Sequence, residues 1–391
     1  MAKRRTLVGQ AGLATGCLVV MAAVAAGAAE IPIGMSTVLS GPAQALGEGM
    51  KTGVETYFKK VNAAGGVNGN TLRLVVYDDG YEPDRCAPNM HRLIDEDKVL
   101  AVIGNVGTPT AIVAVPIANE KKTLLFGAFT GAGVLRKSPP DRYVINFRAS
   151  YEEETGAMIQ GFLAAGIKPE EIAFFTQNDG YGDAGYAGAI KALKTQGYAA
   201  AESLAHGRYT RNTENVEDGL ATVLGSSPKA VIMVGAYKPC AKFITMAKEI
   251  LPETLYANVS FVGSVALAKE LGPAGEGVIV TQVVPPADTG LAAVQEYRAD
   301  LATYAPGAAV DFVSLEGYLA AKVFVEGLKK AGATPTREGL VDAIEGLTGL
   351  EIGIGFPIGF GKTDHQASGQ VWPTIIRNGS FVSLDWKALQ P

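Results

Sequence analysis

The sequence predicts an α/β molecule of two doubly wound, parallel-sheet lobes. Three observations carry that expectation. Short apolar strands alternate with helical segments along most of the chain, the alternation breaks once at Ser138–Arg142 and restarts, and 391 residues exceed what one ordinary domain needs.

The elements follow in order. Ile31–Thr37 reads as a strand and Ala43–Val61 as a helix. Leu72–Tyr77 is a second strand, and Pro83 opens a helix over Asp84–Asp95 because its fixed φ suits a first helical turn. Leu100–Gly104 is a buried strand, Pro109–Asn119 a helix and Thr123–Gly127 another strand. After the break come a helix over Tyr151–Ala165, a strand at Glu171–Thr176 and a helix at Gly185–Gln196. Ala230–Gly235 is a strand that feeds a helix over Pro239–Ile250. Strands separated by helices must run parallel and be covered on both faces, so each run forms its own sheet.

Residues 1–29 stand apart. Lys3, Arg4 and Arg5 precede an apolar stretch from Gly12 to Ala26, and Ala26-Gly27-Ala28 is a small-x-small cleavage site. The expectation is a signal peptide cut after Ala28 or Ala29, and a periplasmic mature protein not inserted in the membrane. Arg4-Arg5 departs from the rest of a twin-arginine motif, so the export route stays open. The chain holds 34 basic and 39 acidic residues; removing the three leader cations leaves 31 against 39. That acidic balance, without basic stripes, argues against nucleic acid and anionic membranes as partners. A composition 48% hydrophobic and 19% charged excludes disorder. Cys86 and Cys240 remain after export and are expected as buried free thiols in different lobes.

Ligands of doubly wound sheets sit beyond the carboxyl ends of the strands. The loops there read Ser40-Gly41-Pro42, Asn105-Val106-Gly107-Thr108, Ala128-Phe129-Thr130, Gln177-Asn178-Asp179-Gly180-Tyr181 and Ala236-Tyr237-Lys238. Glycines let main-chain N–H groups approach a ligand, and hydroxyls donate or accept as needed.

Enzyme-like motifs fail on spacing. Gly361-Lys362-Thr363 lacks the first glycine of a phosphate loop, since Phe356 stands there. Gly47, Gly49 and Gly53 miss the dinucleotide fingerprint and read better as close helix packing. No Gly-x-Ser-x-Gly elbow occurs, and His91, His206 and His365 are too far apart to be metal pairs. Asp78-Asp79 before Gly80 reads as a turn cap. Hence no catalytic residue, metal or cofactor is expected.

The mature chain resembles the leucine/isoleucine/valine-type solute-binding proteins of ABC transporters. The resemblance rests on Leu39-Ser40-Gly41-Pro42 with Gly47 and Gly53, Asp78-Asp79 with Pro83, Asn105-Val106-Gly107-Thr108-Pro109-Thr110 and Pro116-Ile117-Ala118. It continues through Arg148-Ala149-Ser150, Asn178-Asp179-Gly180-Tyr181-Gly182, Gly235-Ala236-Tyr237 and Glu316-Gly317-Tyr318. It implies a type I periplasmic-binding fold with three crossovers, near Phe147–Arg148, Val283–Pro285 and Gly353–Gly355. Lobe one would be 30–147 with 285–353, and lobe two 148–284 with 354–391. The ligand would sit in the cleft while the lobes close by hinge motion.

The same resemblance implies roles for single residues. Val106, Gly107, Thr108 and Thr110, with Ala128, Phe129 and Thr130, would bind a carboxylate. Leu46 would touch the ligand's side chain and Tyr181 and Tyr237 would close over it, with Ser40 in the first of the cleft loops. The family's amino-acid binders carry an acidic residue for the ligand's ammonium just before the segment matching Phe261-Val262-Gly263, where this chain has Ser260 or a close neighbour and no charge. Asp179 and Glu48 are the nearest acidic substitutes by loop position. The ligand expected is therefore an organic acid, an amide, an amino acid or a more lipid-like molecule, with one lacking an α-ammonium favoured. The partners implied are that small molecule and the membrane permease. A periplasmic sensor feeding a receptor and an exported enzyme are the alternative functions.

Overall fold

The structure is a computed structural model that describes residues 1–2 and 29–390. The leader read from residues 3–28 lies outside the described residues.

The first run of the chain alternates β1 (Glu30–Thr37), α1 (Gln44–Ala63), β2 (Thr71–Asp78), α2 (Pro83–His91), β3 (Ala101–Ile103), α3 (Thr108–Glu120), β4 (Leu124–Phe126) and β5 (Val144–Ile145). The second comprises α4 (Tyr151–Ala164), β6 (Ile172–Gln177), α5 (Gly180–Thr195), β7 (His206–Tyr209), α6 (Glu217–Leu224), β8 (Ala230–Val234), α7 (Tyr237–Lys248), β9 (Leu255–Asn258), α8 (Ser264–Leu271) and β10 (Ile279–Gln282). Then follow α9 (Ala292–Tyr304), α10 (Phe312–Ala331), α11 (Arg337–Glu345) and the hairpin β11 (Trp372–Arg377) and β12 (Ser380–Ser383). Two sheets result, ordered β2-β1-β3-β4-β5 and β12-β11-β10-β9-β8-β6-β7. The first is parallel throughout. In the second, β11 pairs antiparallel with both β10 and β12, so that edge departs from the parallel expectation. The two-lobed α/β architecture is the one the alternation predicts.

Helices α9–α11 carry the chain back to the first sheet, where α10 lies against α1. Their backbones touch: a Cβ on Gly53 would fall 2.0 Å from the Ser314 carbonyl oxygen, and one on Gly317 2.5 Å from that of Met50. Close packing is thus what Gly53 serves. Around α10, Tyr318, Phe324 and Leu328 join Ile33, Phe58, Ile103 and Phe126 in one core.

The chain passes between sheets after β5, after β10 and before β11. Ile354, Ile358 and Phe360 still pack in the first core, Phe360 at 6.4 Å from Phe126, and Gln366 bridges to Asn146. These contacts fall beyond Gly353–Gly355, where the sequence puts the third passage. The apolar residues of 354–360 are drawn back by the hydrophobic space under β4. Helix α5 also starts five residues earlier than the expected Gly185, because the Asp179 carboxylate accepts the Tyr181 N–H as an N-cap. Cys86 and Cys240 are buried and unbridged.

Candidate ligand site

The strand ends of both sheets face one another, and their side chains are in contact. Val38, Leu46, Tyr81, Val106 and Phe129 from the first sheet's loops belong to the same buried cluster as Tyr181, Tyr237 and Phe261 from the second. Phe261 is the junction. Its ring lies 5.2 Å from Phe129, 4.5 Å from Tyr181 and 5.9 Å from Tyr81.

The first wall is built by two short loops that brace each other. Phe129 N–H donates to the Asn105 carbonyl at 2.7 Å, and Gly107 N–H to the Phe129 carbonyl at 3.2 Å. Gly107 holds φ 106° under the Tyr81 ring, where a Cβ would come within 2.2 Å of Cε2. This bracing sets the Thr108 and Thr130 hydroxyls 2.6 Å apart, both buried, at the N-terminus of α3. Hydroxyls beside the positive end of a helix suit an anionic oxygen. Thr110 lies in the same turn, but its hydroxyl is spent on the Val106 and Gly107 carbonyls. Ala128 is buried beneath the loop. Ser40 is not brought to this wall: it is exposed, and its hydroxyl donates to Asp78 at 2.6 Å.

The second wall brings Tyr181 and Tyr237. Tyr181 is fully buried and its hydroxyl donates to the Gly235 carbonyl at 3.2 Å. The Ala45 N–H reaches the Tyr237 oxygen across the cleft at 3.5 Å, and Leu46 packs against Gly263. Further polar contacts clasp the rim. Gln177 donates to the Tyr81 oxygen at 3.1 Å, Arg211 meets Glu82 at 2.6 Å, and Asn212 donates to Glu82 at 2.7 Å. The lobes are closed on each other.

Sequence reasoning missed the centre of the second wall. Arg148, from the first passage, is 1% exposed and donates through Nη2 to Glu154 at 3.2 Å and to the Ser260 hydroxyl. Glu154 in turn accepts the Ser260 N–H at 2.7 Å, the Ser260 hydroxyl at 3.0 Å and the Thr281 hydroxyl at 2.7 Å. Glu316 of α10 stands 3.6 Å from Arg148 Nε. Burial alone would lower the Arg148 pKa, but Glu316 and Glu154 outweigh it and hold it above its ordinary value. Burial pushes Glu316 up to about 7, with Arg148 opposing and Glu154 assisting. An acidic side chain therefore does stand beside Ser260, contrary to the sequence expectation, but it is engaged by Arg148. Neither proposed substitute serves: Asp179 caps α5 and takes bonds from Gln177 and Arg211, and Glu48 is exposed. Arg148 and Glu316 lie within segments that carried the resemblance, which was the one available signal.

Arg136 fastens the two walls. It donates to the Thr130 and Ala132 carbonyls at 3.2 and 3.1 Å and to the Arg148 carbonyl at 3.0 Å. Beside it a cavity of about 720 Å³ opens, touching Thr108, Tyr151, Arg136 and Gly180.

Comparison with known proteins gives three consistent findings. A family profile described as periplasmic binding protein matches residues 30–380. The chain is similar to the Leu/Ile/Val-binding protein BraC3 of Rhizobium johnstonii, 24% identical over 363 residues and covering 92% of each chain. Among solved structures, a possible leucine/isoleucine/valine-binding protein from Rhodopirellula baltica superposes with a TM-score of 0.90 at 49% identity, covering 94% of this chain and 99% of that one. A substrate-binding periplasmic protein from Ralstonia solanacearum follows at 0.84 and 26%, covering 90% and 100%.

Proposed function

The chain belongs to the periplasmic binding protein family, and on that premise we propose that it captures a small molecule between its lobes and delivers it to the membrane permease of an ABC transporter. The observation that carries this reading is the buried Thr108–Thr130 hydroxyl pair at a helix N-terminus, whose neighbours Val106 and Phe129 share one buried cluster with Tyr181 and Tyr237 of the other lobe. That arrangement grips an oxygen-bearing head group and surrounds the rest of the molecule with apolar side chains. Membership of a binding-protein family supports reading the role as that of a receptor rather than an enzyme. The protein works in the periplasm after export.

Within this reading, Val106, Gly107, Thr108, Phe129 and Thr130 hold the head group and Leu46, Tyr181 and Tyr237 line the tail. Lobe one comprises 30–147 with 285–366, and lobe two 148–284 with 367–391; the third passage is moved because Phe360 and Gln366 stay with the first core. The first relatives bear Leu/Ile/Val-binding names, and a ligand carrying a carboxylate fits the hydroxyl pair of this chain. Calorimetry on the ligand-stripped protein tests the assignment. Thr108→Ala or Thr130→Ala is expected to weaken binding by about 1–3 kcal/mol through loss of a charge-assisted bond. Unchanged binding in both variants would remove the site from this cleft.

A further inference from the structure

Resting on that cleft reading, we propose that the ligand is an organic carboxylate without an ammonium group, and that Arg148 is its cationic anchor. Arg148 is buried, yet its Nε and Nη1 have no hydrogen-bond partner among the described residues. Nε at least faces a charge, Glu316, at 3.6 Å. A buried guanidinium donor without an acceptor is costly, and native proteins supply one from the protein, water or a ligand.

The surroundings locate that acceptor. The Arg148 guanidinium carbon lies 4.8 Å from the centre of the Phe129 ring and 5.8 Å from that of Tyr151. Phe129 directly precedes Thr130. The Tyr151 hydroxyl is also buried and unpartnered, and the Thr130 hydroxyl bears on it. Three donors therefore stand at this corner: Arg148 Nη1, the Tyr151 hydroxyl and the one proton that the Thr108–Thr130 pair leaves free. The cavity that touches Thr108 and Tyr151 opens beside this corner, lined also by Gly131 and Arg136, without itself being lined by Arg148 or Thr130.

Charge decides the class. Glu154 already accepts from Ser260 and Thr281, and both it and Glu316 are turned to Arg148. An ammonium arriving here would meet a fixed guanidinium, and the one carboxylate not hydrogen-bonded, Glu316, offsets it poorly because burial favours its neutral form up to about pH 7. A carboxylate would meet the unpaired donors. The extra negative charge is eased by Glu316, which can take up a proton near neutral pH. The protein thus carries its own cation where an amino-acid ligand would have to bring one.

The test uses ligand-stripped protein and matched probes: 4-methylpentanoate, leucine and 4-methylpentanamide, then 3-phenylpropanoate, phenylalanine and 3-phenylpropanamide. In at least one series the acid is expected to bind roughly 30-fold or more tightly than its amine-bearing and amide partners, as one charge-assisted contact implies. Arg148→Met should erase that preference. Arg148→Lys, which keeps the charge but loses the planar fork, should reduce it, and it serves where the methionine variant fails to fold. Leucine or phenylalanine binding above its matched acid, or acid binding indifferent to both substitutions, overturns the proposal. If no probe binds, mass spectrometry of the co-purifying molecule decides: an acid without an amine supports the proposal, and an amine or an uncharged molecule overturns it. Binding that depends on Thr108 and Thr130 but prefers the amine defeats the ligand class alone. Binding indifferent to Thr108, Thr130 and Arg148 defeats the cleft reading itself.

Discussion

The two walls of the cleft hold their polar groups by opposite means. The first wall is neutral and made by backbone: two loops 22 residues apart hydrogen-bond to each other and leave a pair of hydroxyls at a helix end. The second is charged and made by side chains, with Arg148 and Glu154, Ser260, Thr281 and Glu316 meeting from four separate places in the chain. The neutral wall can lose a hydroxyl and keep its shape. The charged wall cannot lose Arg148 without stranding carboxylates, nor Glu154 without weakening the pairing of Arg148.

That difference sets the size of each expected effect. Glu154→Gln should be the most damaging change, because it removes the fully buried carboxylate hydrogen-bonded to Arg148 and leaves that charge only the longer Glu316 contact at 3.6 Å. A loss of about 3–5 kcal/mol in denaturant unfolding is expected. A loss below about 1 kcal/mol would mean that the second wall is as tolerant as the first. Next comes pH. The Glu316 carboxyl titrates near 7 in the folded protein, against an ordinary value near 4.5. Between these values the folded state holds the proton that the unfolded chain has released, so stability should fall as pH rises from about 4.5 to 7 and then level. Melting temperatures across that range in the wild type and Glu316→Gln check this: the decline should be shallower in the variant. An identical slope would assign the decline to other groups.

Smaller again is the neutral wall. Thr130→Ala should cost about 1 kcal/mol of stability, less than a third of the Glu154→Gln effect, while its influence on ligand binding is the larger. The rim contact is smallest. Arg211 and Glu82 are 23% and 40% exposed, so Arg211→Ala should change unfolding by under about 1 kcal/mol and act chiefly by loosening closure. Small-angle scattering of the ligand-free variant would register that as a larger radius of gyration.

The same contrast explains what could be read from the sequence. Gly107, Thr108 and Thr130 are legible because local rules place them: they follow β-strands whose apolar runs announce themselves, and loops at strand ends have few places to go. The α1–α10 contact was foreshadowed by Gly53, although its partner Gly317 lay in helices that the strand–helix count had not reached. The charged wall obeys no local rule. Arg148 and Glu154 look like ordinary surface charges at the start of a helix, and only the closure of two lobes over them makes them interior. Ser40 failed for the converse reason. It occupies a strand-end loop as expected, but Asp78, one strand over, offers a nearer acceptor at 2.6 Å.

The central claim, that ligand is held jointly by both walls, is tested most directly by hydrogen exchange. Ligand-stripped protein would be compared with the same protein after its own extracted small-molecule fraction is returned. The account predicts added protection at 105–110 and 128–132 in one lobe together with 148–154 and 258–263 in the other. Protection confined to one of these walls, or appearing instead at a second cavity lined by Val265, Tyr297 and Phe381, would contradict it.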